Sequence, residues 1–477
     1  MIRKIKYFLL LCSSLFVIAC TDILDKDPIA IFDAGSYFQT EEDATQAINA
    51  AYRSLPFSNK NDNFYWAFSA ITSDEAITAG DGSRAGLTEL DALNYTPRTE
   101  EFNAFWKLQY NGITQCNVVL DNIDNIDIQA TKKDRIKGEA LFLRAYYYFL
   151  LTQVFGDVPC MTNVLPPDAL KIPKTSKASI YEKIVADCEV AASFLPLTYP
   201  ASETGRVTKG AALGLAAKIA LYQKNYQEVV RLVTAIKGLN VYALVADYED
   251  NFRKNTQNNS ESVWEIQHNN LESDLGNFLN QWLASRKILG YGFGEITQEY
   301  VNLFEKGDPR LKFTVAMNND PYFGVVFKNS FASTKYGPRK YLQADAEVTQ
   351  KGDGDINYTF IRYAEVLLWE AEALNELGST AAAATPLEVV RARARAQSSI
   401  PTVLPAITTT DKVTMRNAIR NERAVELGYE GHRFFDLVRW GIAQTVLEDF
   451  IVGKHEVFPI PQTEIDLNPQ LLQNPGY

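Results

Sequence analysis

Apolar positions along this chain recur mostly at three and four residues, the spacing of one helix face. Ala47, Ile48, Ala51 and Leu55 carry the pattern first. Glu41, Glu42 and Asp43 precede them, where carboxylates suit the positive end of a helix dipole, and Pro56 predicts the stop. A second helix is predicted around Trp106, Tyr110, Ile113 and Val119. A third runs from about Lys132 to Val154 through Ile136, Ala140, Leu143, Tyr147 and Leu150. Aromatic residues fall on more than one face of both, which predicts deep burial.

Two later stretches share a plan. Lys209 to Gln223 is rich in small residues and leads through a short turn to Tyr226–Ile236. Phe360 to Leu377 is dotted with alanine and leads past Gly378 to Ala381–Arg395. Small side chains let a partner helix approach closely, so each pair predicts a hairpin with Ala217 or Ala371 at its contact. Repetition of such pairs resembles the tetratricopeptide arrangement. The expected fold is mainly α: tetratricopeptide-like helical hairpins forming a scaffold, with a loop-rich subregion containing a few short strands. Period-two alternation favours a strand at Ser262–Gln267. Segments of about 64–99 and 247–354 read as long loops across the scaffold.

The amino terminus follows a different pattern. Arg3, Lys4 and Lys6 precede an apolar run from Tyr7 to Ala19, the form of a secretory signal and shorter than a bilayer span. The run closes on Val17-Ile18-Ala19-Cys20, which resembles a bacterial lipobox. Residues 1–19 are therefore expected to be a lipoprotein signal peptide and Cys20 the lipidation site, since multiple acyl chains make a stable anchor. An ordinary secreted protein cut near Ala19 is the alternative. Residues 20–35, acidic and containing Pro28, read as a tether, and 36–477 as the folded domain.

Removing residues 1–19 takes away three basic residues and no acid, leaving 44 basic against 58 acidic. An acidic balance of that size argues against nucleic acid as a partner. Cys116, Cys160 and Cys188 then remain, an odd number that predicts buried thiols or at most one bridge. His-Glu-x-x-His, Gly-x-Ser-x-Gly and Gly-x-x-x-x-Gly-Lys motifs do not occur. His268, His432 and His455 stand at no metal-ligand spacing, so no cofactor, metal or catalytic set is assigned. Asp353-Gly354-Asp355-Ile356-Asn357 lacks the glycine and glutamate of a calcium loop and reads as a solvated turn.

Five stretches carry a family likeness. They are Gly138–Phe149 with Phe155-Gly156-Asp157-Val158-Pro159, Gly205–Ala212, Phe304–Arg310, Ile361–Leu368 with Ala371-Glu372-Ala373, and Asn421-Glu422-Arg423 through Glu430–Trp440. With the lipobox and the closing Gln473-Asn474-Pro475-Gly476-Tyr477, they resemble the SusD/RagB family across nearly the whole mature chain. The resemblance implies a non-enzymatic, outer-membrane, lipid-anchored protein that faces the cell exterior. It would capture a nutrient, a glycan or oligosaccharide, for a TonB-dependent SusC-like transporter. A surface glycan hydrolase and a helical scaffold binding only protein or peptide are the alternatives. Within the signature, Arg420, Glu422, Arg423, Glu426, Glu430, Arg433, Asp436 and Arg439 alternate in sign at helical spacing, which predicts local structural pairing.

A sugar offers apolar faces fringed by hydroxyls, so its site needs exposed rings beside polar side chains. Two loops combine aromatic rings, charges and glycines. The first nominates Tyr65, Trp66, Asp81 and Arg84; the second nominates Trp282, Arg286 and Tyr291. Any of these rings could instead belong to the core, since large aromatics are usually buried.

Overall fold

The computed structural model describes residues 38–271, 275–288, 290–349 and 352–477. The expected signal, Cys20 and the tether lie outside the described residues.

Helix α1 (Glu41–Tyr52) opens on a capping box in which Thr40 Oγ1 accepts from the Asp43 N–H and the Asp43 carboxylate accepts from the Thr40 N–H at 2.8 Å. It ends ahead of Pro56, as expected. Two short helices, α2 (Tyr65–Ala70) and α3 (Ala85–Asp91), lead to α4 (Glu100–Asn122) and α5 (Ala130–Phe155). Every residue of α5 from Gly138 to Phe155 is buried, so this helix is the centre of the scaffold. The α4 backbone lies against it at Gly112, where a Cβ would come within 2.4 Å of the Tyr147 ring.

α6 (Lys177–Phe194) packs on α5, α7 (Lys209–Tyr222) on α6, and α8 (Tyr226–Gly238) on α7. The stack continues through α8 onto α10 (Tyr363–Glu376), which holds α11 (Thr380–Ala396) and α12 (Lys412–Glu426). Ala217 and Ala371 are both buried in it. α9 (Leu279–Leu283) lies in the loop-rich region and α13 (Arg433–Trp440) closes against α2. With seventeen α-helices and only short strands among the described residues, the mainly helical expectation holds.

The strands form two-stranded antiparallel pieces: β1 (Ala76–Ile77) with β3 (Glu295–Ile296), β2 (Ser262–Ile266) with β8 (Tyr358–Arg362), β4 (Val315–Ala316) with β7 (Gly337–Pro338), and β5 (Pro321–Tyr322) with β6 (Val325–Val326). The helix expected from Phe360 starts at Tyr363 instead. Phe360, Ile361 and Arg362 pair as strand, because a run buried on all sides carries no period that separates strand from helix. Ile361 and Val263 then pack at Gly214 of α7, where an added Cβ would meet them at 3.3 and 3.4 Å.

Two further expectations are corrected. Asp353-Gly354-Asp355 is not a solvated turn but buried: Gly354 bonds to Asn277, and Gln343 Nε2 donates to Asp355 Oδ1 at 2.7 Å. The sign alternation over residues 420–439 makes few local pairs. Arg310 meets Asp308 (2.7 Å), Glu422 and Glu426 (2.9 Å), and Arg362 meets Glu261 (2.8 Å), Glu426 (2.6 Å) and Glu430 (2.7 Å). Arg393 bridges Glu261 and Glu426. Burial would raise the Glu426 carboxyl, but Arg393, Arg362 and Arg310 outweigh it and hold it well below the ordinary range. This network pins β8, α11 and α12 to the loop region. Cys116, Cys160 and Cys188 are free thiols.

Candidate functional site

β1–β3 pairing sets the two nominated loops side by side, with Ile77 opposite Glu295. Beyond the strands, Arg286 reaches Asp81 across the gap at 3.0 Å, both side chains about half exposed. Asp81 also accepts from the Ser83 N–H at 3.0 Å. Those bonds to Ser83, then the Arg286 charge, draw its carboxyl down to about 2, so it stays ionised. Gly80 is needed where the loop passes Phe293, since an added Cβ would stand 2.7 Å from that ring.

Backbone hydrogen bonds hold the end of the second loop. Past α9, the N–H groups of Tyr291, Gly292 and Phe293 donate to the carbonyls of Gln281, Ala284 and Trp282 at 2.7, 2.9 and 2.9 Å. These bonds satisfy the open carbonyl end of α9 and turn Tyr291 outward. It is 42% exposed and leans on Phe278 and Phe293.

Three nominated rings fail the requirement of exposure. Tyr65, Trp66 and Trp282 are 2%, 4% and 1% exposed, too covered to stack on a sugar. Tyr65 donates to Gln153 Oε1 at 2.8 Å and lies parallel to Phe435. Trp282 stacks between Phe64, at 5.5 Å, and Trp66, at 5.9 Å. The rings form a floor instead of a surface: Arg84 lies over Phe64 at 5.1 Å while pairing with Asp62 at 3.1 Å. Asp81, Arg84, Arg286 and Tyr291 are therefore brought to one face; Trp66 and Trp282 lie beneath it with Phe64, whereas Tyr65 packs into the scaffold against Phe105, Phe360 and Phe435.

Beside this face a cleft of about 270 Å³ opens, lined among others by Asn280, Gln281, Lys287, Phe323, Val325 and Gln343. A larger recess of about 600 Å³ shares Phe323 and Gln343 with it. Phe323 and Val325 were not nominated from the sequence, where they fall in the apolar run Tyr322-Phe323-Gly324-Val325-Val326-Phe327 and nothing local sets them apart from core residues. The cleft offers amide and ammonium partners with an apolar wall, which suits hydroxylated, partly apolar ligands.

His268 sits near the second loop, but its Nε2 accepts from the Phe57 N–H at 3.0 Å and burial draws its pKa down to about 3, so it is a neutral structural imidazole. Among the described residues no group of three His, Cys, Asp or Glu side chains is placed to hold a metal ion.

Family models cover most of the sequence. One described as the SusD family matches residues 247–457, and one described as "Starch-binding associating with outer membrane" matches residues 25–221. The chain belongs to the SusD/RagB family. It is 26% identical to SusD-like protein P25 of Formosa agariphila, over 100% of this chain and 99% of that one. Among solved structures it is similar to a laminarin binding SusD-like protein, with 27% identity, a TM-score of 0.81, and coverage of 92% of this chain and 100% of the other. Surface glycan-binding protein A from Bacteroides fluxus is similar at 26% identity and a TM-score of 0.78, with the same coverage. Their full coverage means the loop-rich region belongs to the family fold along with the helical stack.

Proposed function

We propose that this SusD/RagB chain is a non-enzymatic surface binding protein that captures a glycan on the face formed by Asp81, Arg84, Arg286 and Tyr291, and passes it to a TonB-dependent SusC-like transporter. Cys20 is the lipid anchor that keeps it at the outer membrane, facing outward. The observation that carries the reading is the exposed Tyr291 ring, its backbone bonded to α9, beside the Asp81–Arg286 pair, with the amide-lined cleft adjoining. The similar proteins named for laminarin and surface-glycan binding support glycan as the ligand class.

One exposed ring and a few polar contacts contribute about 1 kcal/mol each, which gives affinities of about millimolar to tens of micromolar. Binding of that strength suits transfer to a second protein. Calorimetric titration with laminarin oligosaccharides and a panel of other glycans tests the reading. Saturable binding that weakens about tenfold in Tyr291→Ala is expected, about 1.4 kcal/mol. Binding unchanged in that variant would remove the face. Release of new reducing ends from any of the glycans would instead establish a hydrolase.

A further inference from the structure

At the far end of α10, a separate cleft of about 320 Å³ is walled by α10, α12, α13 and the α7–α8 turn. Lys224, Arg416, Arg420 and Arg439 line it against only Glu372 and Glu376, an excess of two positive charges in a chain whose net charge is −11. The two carboxylates are already engaged. Arg416 holds Glu376 with two hydrogen bonds, and Arg439 and the Trp440 Nε1–H both donate to Glu372.

Arg420 is left over. It follows Arg416 by one turn of α12, so both side chains reach the same cleft. Its guanidinium lies on the Trp440 ring at 5.0 Å, pairs with no carboxylate among the described residues, and keeps a buried Nε–H without a partner. Burial, and then the neighbouring Arg416 and Arg439, lower its pKa in spite of Glu372 and Glu376, as expected where positive charge is in excess. Among the described residues the buried arginines are matched by carboxylates, as Arg310, Arg362, Arg391 and Arg433 are. A planar fork of donors fixed on an aromatic face, with unused N–H groups, is the arrangement that receives a carboxylate or sulfate group. Tyr226 and Asn375 supply neutral polar lining around it.

We propose that this cleft is an anion-binding site, in which Arg420 receives the carboxylate or sulfate group of a small ligand. The cleft has room for one acidic sugar unit, and an inorganic oxyanion offers the same chemistry. It is separate from the Tyr291 face and stands whether or not that face binds glycan.

The test is calorimetric titration at low salt, where screening is weak, with D-glucuronate, glucose 6-sulfate, sodium sulfate and neutral glucose. Saturable millimolar binding of the anions, and none of glucose, is expected. Arg420→Gln should weaken it at least tenfold, Arg420→Lys less, and Arg231→Gln, which removes an exposed arginine on α8, not at all. Sugar acids binding more tightly than sulfate would make an acidic saccharide the source; equal affinity would make it the free ion, and both outcomes uphold the site. No saturable anion binding, or the same affinity in Arg420→Gln, overturns it. Should Arg420→Gln fail to fold by circular dichroism, a selenate soak of unmodified crystals decides. An anomalous peak at Arg420 supports the site, and its absence overturns it.

Discussion

Replacing Trp282 by alanine separates a supporting ring from a ligand-binding one. The indole is 1% exposed and touches Phe64, Trp66 and Phe278 at centroid distances of 5.5, 5.9 and 5.4 Å. A buried tryptophan removes roughly 200 Å² from water, which at about 25 cal/mol per Å² is about 5 kcal/mol. Aromatic pairing adds to this, and partial collapse of the short helix α9 into the space returns some of it. A net cost of about 3 to 5 kcal/mol is expected. Urea unfolding followed by circular dichroism measures it as a lower midpoint at constant slope. Tyr291→Ala, at an exposed site, should stay within about 0.5 kcal/mol of the parent while losing glycan affinity. The reasoning is refuted if Trp282→Ala costs less than about 1 kcal/mol and the variant loses binding as Tyr291→Ala does, for then the ring would belong to the ligand face.

Ala217→Leu forces a larger side chain into the closed contact of α7 and should cost about 1 to 3 kcal/mol; a parent-like urea midpoint would count against close packing there. Arg362→Met takes one buried partner each from Glu261, Glu426 and Glu430, leaving their negative charge to Arg393, Arg310 and Lys340, and should cost about 3 to 5 kcal/mol, read by the same titration. Burial pushes the Glu75 carboxyl up to about 8, with Arg433 offsetting only part of this. The folded state therefore holds that proton more tightly than the unfolded chain, so this contribution to stability is full below the ordinary carboxylate range. It falls as pH rises towards 8, by up to about 1.4 kcal/mol per pH unit. Glu75→Gln should flatten that part of the pH profile, and an unchanged slope would place the titration elsewhere. Cys20→Ala should release the protein from the outer-membrane fraction; retention of the variant there would reject the anchor.

The helical stack was written in the sequence because a helix repeats its apolar face locally. The spacing through Ile136, Ala140, Leu143, Tyr147 and Leu150 and the small residues of α7 mark elements whose burial needs no knowledge of distant partners. The same held for the chemistry of the two loops, whose aromatic, charged and glycine residues were visible as a cluster. Burial of individual loop rings was not. Trp66, Trp282 and Tyr291 look alike in sequence, and only the fold decides that two are stacked inside and one is turned out, because exposure depends on what packs from elsewhere in the chain. The ion pairs differ for the same reason: Arg310 and Arg362 find Glu422, Glu426 and Glu430 more than sixty residues away, so sign alternation along one helix suggested partners that tertiary contacts replaced. The sequence by itself determined the paired helices of the scaffold, such as Lys209–Tyr222 with Tyr226–Gly238, and the mix of aromatic, charged and glycine residues in the two loops. The tertiary structure decided which of those side chains meet, since charge pairing and exposure are set by distance in space, to which local periodicity is blind.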